Sequence, residues 1–373
     1  MNITKKLGFG CMRLPLINEE FTRIHKELFC QMIDYFLDKG FRYFDTAWFY
    51  HNGKSEAALR ECLIERHPRS SFLLADKMPL VLVREKEELE TYFSAQLERC
   101  GVDYFDYYLI HDMGENRLEI AEKTEVFSFL SAKKVEGKIR KIGFSFHDTA
   151  DVLEDLLTEH PEVDFVQLQI NYLDWDSDAI QSRQLYETAV KHGKPVIVME
   201  PIKGGTLAML PDEAQKLLDA RLPGHSAASW ALRFAASLDN VQMVLSGMNT
   251  MEQLTENISF MEDFTPMSEE DLSCLKKVTD IINADTAIAC TGCSYCIHDC
   301  PKDIAIPKYF SLYNTDLQEL KTKSWTAQGM LYGHFAERFG KAGDCIQCGQ
   351  CEKMCPQHLP IRKLLKTVAE HFE

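Results

Sequence analysis

Eight cysteines in two matching runs constrain this chain more than any other feature. The first run is Cys290-x2-Cys293-x2-Cys296-x3-Cys300-Pro301, and the second is Cys345-x2-Cys348-x2-Cys351-x3-Cys355-Pro356. Three thiolates at two-residue gaps in a curled loop can each bind one iron corner of a [4Fe–4S] cube. The fourth cysteine opens a helix that leaves the loop and reaches the other cube. This logic assigns one cluster to Cys290, Cys293, Cys296 and Cys355, and the other to Cys345, Cys348, Cys351 and Cys300. Zinc is the weaker reading, because its sites usually take four ligands in two pairs and here they come as triplets plus one. Five of the 13 cysteines remain, Cys11, Cys30, Cys62, Cys100 and Cys274, and they are scattered.

The segment between the runs is long. KYFSLYNTDLQELKTKSW and AQGMLYGHFAERFG both carry apolar residues at helical spacing. A compact ferredoxin uses a shorter, strand-bearing connection, so the last quarter of the chain resembles the α-helical ferredoxin type. Ala305-Ile306-Pro307 and Leu359-Pro360-Ile361 follow the two runs at matching places, which implies a pseudo-twofold repeat.

Residues 1–265 read differently. Short apolar runs at 41–47, 72–77, 105–111, 141–146, 164–171, 195–200 and 241–247 have strand character. Most are separated by amphipathic stretches such as HKELFCQMIDYFLDKG and KEELETYFSAQLERCG. Strands alternating with helices imply parallel βαβ units, and seven or eight of them in roughly 250 residues imply a (β/α)8 TIM barrel. Seven strands are placed this way, and the eighth is expected within 199–241 or else lacks a recognisable apolar run. An open doubly wound sheet is the alternative, but no G-x-G-x-x-G turn follows the first strand. The expected division is a barrel over 1–265, a connecting helix over 266–284 that begins with the S-x-x-D of Ser268 and Asp271, and a cluster domain over 285–373.

Chemistry in a barrel belongs at the carboxyl ends of the strands. Asp45, Lys77, His111, Ser145, His147, Gln169 and Asn171 stand there, and Tyr50 follows Asp45 by five residues. At this point a family resemblance is plain. FDTAWFYHNGKSE (44–56) resembles the aldo-keto reductase signature, ADKMP (75–79) that family's lysine strand, and DYYLIHD (106–112) its histidine strand. GFSFHD, QLQINY and EPIKGGTLA resemble its cofactor-strand ends and phosphate loop. The likeness runs from about Leu7 to Met261, and with its tail the chain resembles the iron–sulfur branch of that family.

The resemblance implies specific roles. Tyr50 is the general acid of carbonyl reduction, Lys77 favours its phenolate form, Asp45 holds Lys77 charged and in place, and His111 orients the carbonyl. Ser145, Gln169 and Asn171 are expected near the nicotinamide carboxamide. Gly204, Gly205 and Leu207 are expected along the pyrophosphate, and Gly247, Gln253 and Asn257 at the adenosine end. Thr250-x-x-Gln253 also reads as a capping box. Many relatives place basic residues where this chain has Gly247 and Gln253, so the cofactor is NADP or NAD. Lys203 or an Arg elsewhere in the chain is an alternative cation for a 2′-phosphate. Cys11 and Met12 fall near the substrate side. Trp48, Phe49, Met78 and Met113 are candidates for an apolar substrate wall, with core packing the competing role for each.

Lys and Arg number 41 against 57 Asp and Glu, a formal charge of −16. That excess of acid argues against nucleic acid, whose phosphates need clustered cations. No apolar run approaches a membrane span and no secretory leader is evident, so a cytoplasmic location is expected. A nicotinamide passes two electrons as hydride, whereas a [4Fe–4S] cluster passes one. The favoured reading is a nicotinamide-dependent reductase of a small carbonyl substrate carrying two clusters. The alternative is an electron-transfer enzyme, whose clusters connect a ferredoxin or other one-electron donor to a barrel-bound cofactor.

Overall fold

The computed structural model describes residues 5–373 except 178–179, 285–286, 291, 293, 298–299, 319–325 and 356. Among the described residues, eight parallel strands close into a barrel in sequential order. They are β1 (Leu7–Gly10), β2 (Tyr43–Asp45), β3 (Leu73–Met78), β4 (Phe105–Met113), β5 (Ile139–Phe146), β6 (Phe165–Gln169), β7 (Val196–Met199) and β8 (Val241–Ser246). The helices packed around them are α1 (Lys26–Asp38), α2 (Ser55–Leu59), α3 (Lys86–Cys100), α4 (Leu118–Thr124), α5 (Val126–Val135), α6 (Ala150–Glu159), α7 (Ser182–Lys191), α8 (Asp212–Arg221), α9 (Ala227–Ser237), α10 (Met251–Met261) and α11 (Glu269–Asn283). The C-terminal part holds α12 (Ile306–Leu317), α13 (Ala327–Arg338), α14 (Gln350–Met354) and α15 (Ile361–Phe372). No helix among the described residues is long and apolar enough to cross a membrane.

Strand period sorts the side chains into two sets. Phe44, Leu74, Tyr108, Ile110, Phe144, Val166 and Val198 point outward, into the shell shared with the helices. Tyr43, Leu73, Ala75, Tyr107, Leu109, Phe165, Ile197, Met243 and Leu245 fill the barrel itself. The inward column on each strand is apolar low in the barrel and turns polar at the carboxyl end. Tyr43 leads to Asp45, Ala75 to Lys77, Leu109 to His111, and Phe165 to Gln167. Gly143 shows how tightly this interior packs, because a Cβ there would lie 2.6 Å from the Phe165 carbonyl oxygen.

The eighth strand is not in 199–241. It is β1, LGFG, which pairs with both β2 and β8 and so closes the barrel. Its four residues include two glycines, too few apolar side chains to show an alternation. The 199–241 stretch is instead occupied by a short 3₁₀ segment (Lys203–Ala208), α8 and α9.

Ser268 caps α11 through Asp271 in a reciprocal capping box. The helix packs on α8, and its Leu275 and Val278 join the barrel's core rather than that of the cluster domain. The cluster domain has its own core of Ile306, Tyr309, Phe310, Leu331, Tyr332, Phe335, Ile361 and Leu365, and Cys296, Cys351 and Cys355 belong to it. The expected repeat is visible, since α12 and α15 begin at Ile306 and Ile361, just after the two cysteine runs.

Candidate active site

At the carboxyl end of the barrel, β2, β3 and β4 bring together three residues that are far apart in sequence. Lys77, fully buried, places its ammonium on an Asp45 carboxylate oxygen and on the Thr46 carbonyl at 2.8 Å. The same ammonium donates to the Tyr50 hydroxyl at 3.3 Å. The other Asp45 oxygen accepts from Gln167 Nε2 at 3.0 Å. His111 completes the group, its ring 6.2 Å from that of Tyr50 and 6.0 Å from that of Phe49. Its Nδ1 is buried and has no partner among the described residues.

Electrostatics follow from this burial. Desolvation pushes Lys77 down, but Asp45 and Tyr50 outweigh it and hold the ammonium charged. Burial raises the Tyr50 phenol above its ordinary range, with Lys77 pulling in the opposite direction. Lys77 therefore acts in the expected sense without overcoming desolvation. Burial, with Lys77 nearby, lowers His111 to about 3, so the imidazole is neutral at physiological pH.

A second layer fixes the backbone of Lys77. Its N–H donates to the Asp76 side chain at 2.8 Å, and its carbonyl accepts from Gln96 Nε2 at 3.0 Å. Gln96 in turn donates to Glu56 and accepts from the Tyr108 hydroxyl. Burial, then the neighbouring Glu56, raises the Asp76 carboxyl, and burial also raises Glu56. The Ser-Glu of the 44–56 motif is thus a support: Ser55 joins Thr46 to the Cys11 carbonyl, and Glu56 anchors Gln96 and Arg99.

These groups open onto a cavity of about 620 Å³ whose lining includes Asp45, Tyr50, His111, Ser145 and Gln167. Met12 and Phe49 line it as expected. Trp48 does not. It lies under Arg99, 3.5 Å from guanidinium to ring, and against Tyr92. Met78 and Met113 are fully buried in the shell between barrel and helices. Cys11 is buried beside Asp45, and burial raises its thiol well above the usual range. Several lining residues carried no sequence signal. Arg13 and Glu200 pair at 3.2 Å, and Gln167, Phe21, Val81, Ala327 and Met330 complete much of the wall.

The expected cofactor residues fall into several groups. Ser145 lies at the mouth, where its hydroxyl accepts from the Asp112 N–H at 2.9 Å. Gln169 and Asn171 both donate to Asp174, at 3.1 and 2.8 Å. The buried Gln169 Oε1 has no partner among the described residues. Asp174 also holds Lys203 at 2.7 Å with both side chains buried, so Lys203 is not free to meet a phosphate. Gly204 and Gly205 have φ of 65° and 108°, left-handed backbone that favours glycine. Leu207 turns its side chain into the core, which leaves only its backbone to contact a ligand. Gly247 packs against the Arg13 side chain. Gln253 caps α10 by accepting from the Asn249 N–H at 2.9 Å, and the buried Asn257 donates to Ser246 at 3.1 Å.

The cysteines gather in two hollows of the cluster domain. One is lined by Cys300, Cys345, Cys348 and Cys351, the crossed set expected from the spacing. The other is lined by Cys290, Cys296 and Cys355, with Cys293 outside the described residues.

Comparison with known proteins agrees with both halves. Residues 289–360 match the family model described as a 4Fe-4S dicluster domain. Among curated relatives, the NADH-specific methylglyoxal reductase of Escherichia coli is 28% identical over 45% of this chain, but the match spans only 54% of that protein. An uncharacterized oxidoreductase of Bacillus subtilis is 24% identical over 74% of this chain and 92% of its own length. Among solved structures, an aldo-keto reductase of Bacillus halodurans in its holo form is similar with a TM-score of 0.60 and 24% identity, covering 73% of this chain and 91% of that one. One of Klebsiella pneumoniae in complex with NADPH has a TM-score of 0.59 and 21% identity, covering 74% and 90%. These structural likenesses show the fold. Residues 6–280 match the aldo/keto reductase family model, and the chain belongs to the aldo/keto reductase family, with a 4Fe-4S dicluster domain at its C-terminal end.

Proposed function

We propose that the barrel reduces a small carbonyl compound using a nicotinamide dinucleotide. The observation that carries this reading is the convergence of Asp45, Tyr50 and His111 on one cavity, with the ammonium of the buried Lys77 3.3 Å from the Tyr50 hydroxyl. Tyr50 gives its proton to the carbonyl oxygen as negative charge develops there. Lys77 stabilises the phenolate left behind, and the buried Asp45 keeps Lys77 charged and aimed. Neutral His111 donates one hydrogen bond that orients the carbonyl. Bound nicotinamide supplies the hydride.

The Gln169 Oε1, without a partner among the described residues, and the Ser145 hydroxyl suit a carboxamide, and the Gly204-Gly205 turn suits a close backbone approach. We favour NAD over NADP. Residues 248–257 carry no basic side chain, Lys203 is buried against Asp174, and Arg13 is paired with Glu200. Replacing Tyr50 by Phe removes the proton donor and keeps the ring. The expected loss in kcat is about 100-fold or more, with cofactor affinity retained. A Tyr50→Phe enzyme with full activity would sink the assignment.

The two cysteine hollows suit two [4Fe–4S] clusters, held by Cys290, Cys293, Cys296 and Cys355 and by Cys345, Cys348, Cys351 and Cys300. When bound, such clusters carry single electrons. Cys348 is exposed, and Ile346 and Met354 on the same run are large exposed apolar side chains, 57% and 47% accessible. That surface favours a second reading in which a ferredoxin or other one-electron partner docks there and exchanges electrons with a barrel-bound cofactor.

A further inference from the structure

Helix α13 belongs to the cluster domain, yet it faces two ways. Leu331, Tyr332 and Phe335 pack into the domain's core alongside Cys296, Cys351 and Cys355. The adjoining stripe is Ala327, Met330, His334 and Arg338, at spacings of three, four and four residues, which is one face of a helix. Ala327 and Met330 line the candidate catalytic cavity itself, together with Phe49 and Val81.

The rest of the stripe locks this face onto the barrel rim. His334 Nε2 is 3.6 Å from a carboxylate oxygen of Asp112, the residue next to His111. Arg338 pairs with Asp148 at 3.2 Å and also with Glu115. Asp148 in turn fixes the barrel loops, accepting from the Glu115 and Thr149 N–H groups at 3.0 and 2.8 Å. Arg338 thus meets the acidic rim formed by Glu115 and Asp148, and this contact is part-buried rather than freely solvated, which strengthens charge pairing.

We propose that α13 is a wall of the catalytic pocket and that Met330 determines specificity, limiting the bulk carried next to the reacting carbonyl. With Met12, Phe49, Val81, Met199 and Met330 around the cavity, the substrate class is an aldehyde or ketone with an apolar substituent. This rests on the carbonyl-reductase reading, which it deepens. It gives the cluster domain a role in the barrel's chemistry that does not require electron transfer between them.

The test uses full-length protein with its clusters intact, prepared anaerobically, and compares octanal with propanal. In Met330→Trp the ratio of kcat/KM for octanal to that for propanal should fall by about tenfold or more. In Met330→Ala the ratio should rise. Ratios within about twofold of wild type in both variants would overturn the proposal. A second measurement is independent of turnover. In the double variant His334→Ala, Arg338→Ala, with iron content unchanged, backbone hydrogen exchange at 112–117 and 147–149 should accelerate, and unchanged exchange would overturn the docking of α13. If the wild type reduces no carbonyl compound, the reductase reading falls, and the exchange measurement alone decides whether α13 closes the mouth.

Discussion

At Tyr50 two influences oppose each other. Burial holds the proton on the phenol, and Lys77 favours its release. The balance suits a group that must keep its proton until oxygen charge develops, and then lose it to the substrate. His111 is the simpler case, because burial lowers it to about 3 while an unfolded histidine stays near 6.5. The unfolded chain therefore takes up the proton first as pH falls. The stability contributed by neutral His111 is complete above about pH 6.5 and declines toward pH 3, by about 1.4 kcal/mol for each pH unit in that window. His147, also lowered by burial, works in the same direction. Urea unfolding midpoints at pH 7 and pH 5 check this. The raised Asp76 and Glu56 carboxyls act in the opposite sense, so the check is a difference: from pH 7 to pH 5 the wild-type midpoint should fall relative to that of His111→Gln. The grouping of Asp45, Tyr50, Lys77 and His111 at one end of the barrel was legible in the sequence because Asp, Lys and His at consecutive strand ends are chemically conspicuous. Gln167, Arg13 and Glu200 were not. A glutamine inside a strand, or a charge in a loop, has no local feature that reveals its partner across the barrel.

Among the elements, the strands with clear apolar runs were readable and β1 was not. Its identity depends on pairing with β2 and β8, a long-range fact that four residues with two glycines do not encode locally. The wall candidates Trp48, Met78 and Met113 failed for a related reason. Met78 follows Lys77 in β3, so the strand's period of two turns it to the other side. Met113 would share a side with His111, but the register of β4 shifts between Ile110 and Met113, where Asp112 has a φ of 61°. Trp48 lies beyond the end of β2, against Arg99 and Tyr92. β5 carries a sharper test of barrel packing. Gly143→Ala puts a Cβ 2.6 Å from the Phe165 carbonyl and 2.7 Å from its ring. The backbone of β6 cannot yield without moving Gln167 off Asp45. The expected cost is about 1–3 kcal/mol, measurable as a lowered urea midpoint, with reduced turnover beyond what the stability loss explains.

On the scale of the whole molecule, two cores meet at the barrel mouth. The barrel core takes in α11, the C-terminal core takes in several of the cysteines, and α13 gives side chains both to that core and to the cavity at the barrel mouth. The cluster motifs were fully legible because their spacing is set by the geometry of a cube. The docking of α13 was not, since Met330, His334 and Arg338 read as an ordinary amphipathic helix until the barrel rim is beside them. The crossed ligand set makes a prediction at this scale. Cys355→Ser should disable the cluster that also uses Cys290, Cys293 and Cys296, and leave the Cys345 cluster intact. Iron and sulfide should then drop from about eight of each per chain to about four. Loss of both clusters together would contradict the assignment only if the circular dichroism of the barrel were unchanged.

The most direct test of carbonyl reduction by the tetrad is an anaerobic mixing experiment that follows nicotinamide absorbance and the visible cluster band together. The protein with its clusters is mixed with NADH, first alone and then with an apolar aldehyde. The account predicts that NADH is stable alone, is oxidised when aldehyde is added, and leaves the cluster band unchanged throughout. Bleaching of the cluster band by NADH without aldehyde, with no aldehyde-dependent oxidation, would contradict it.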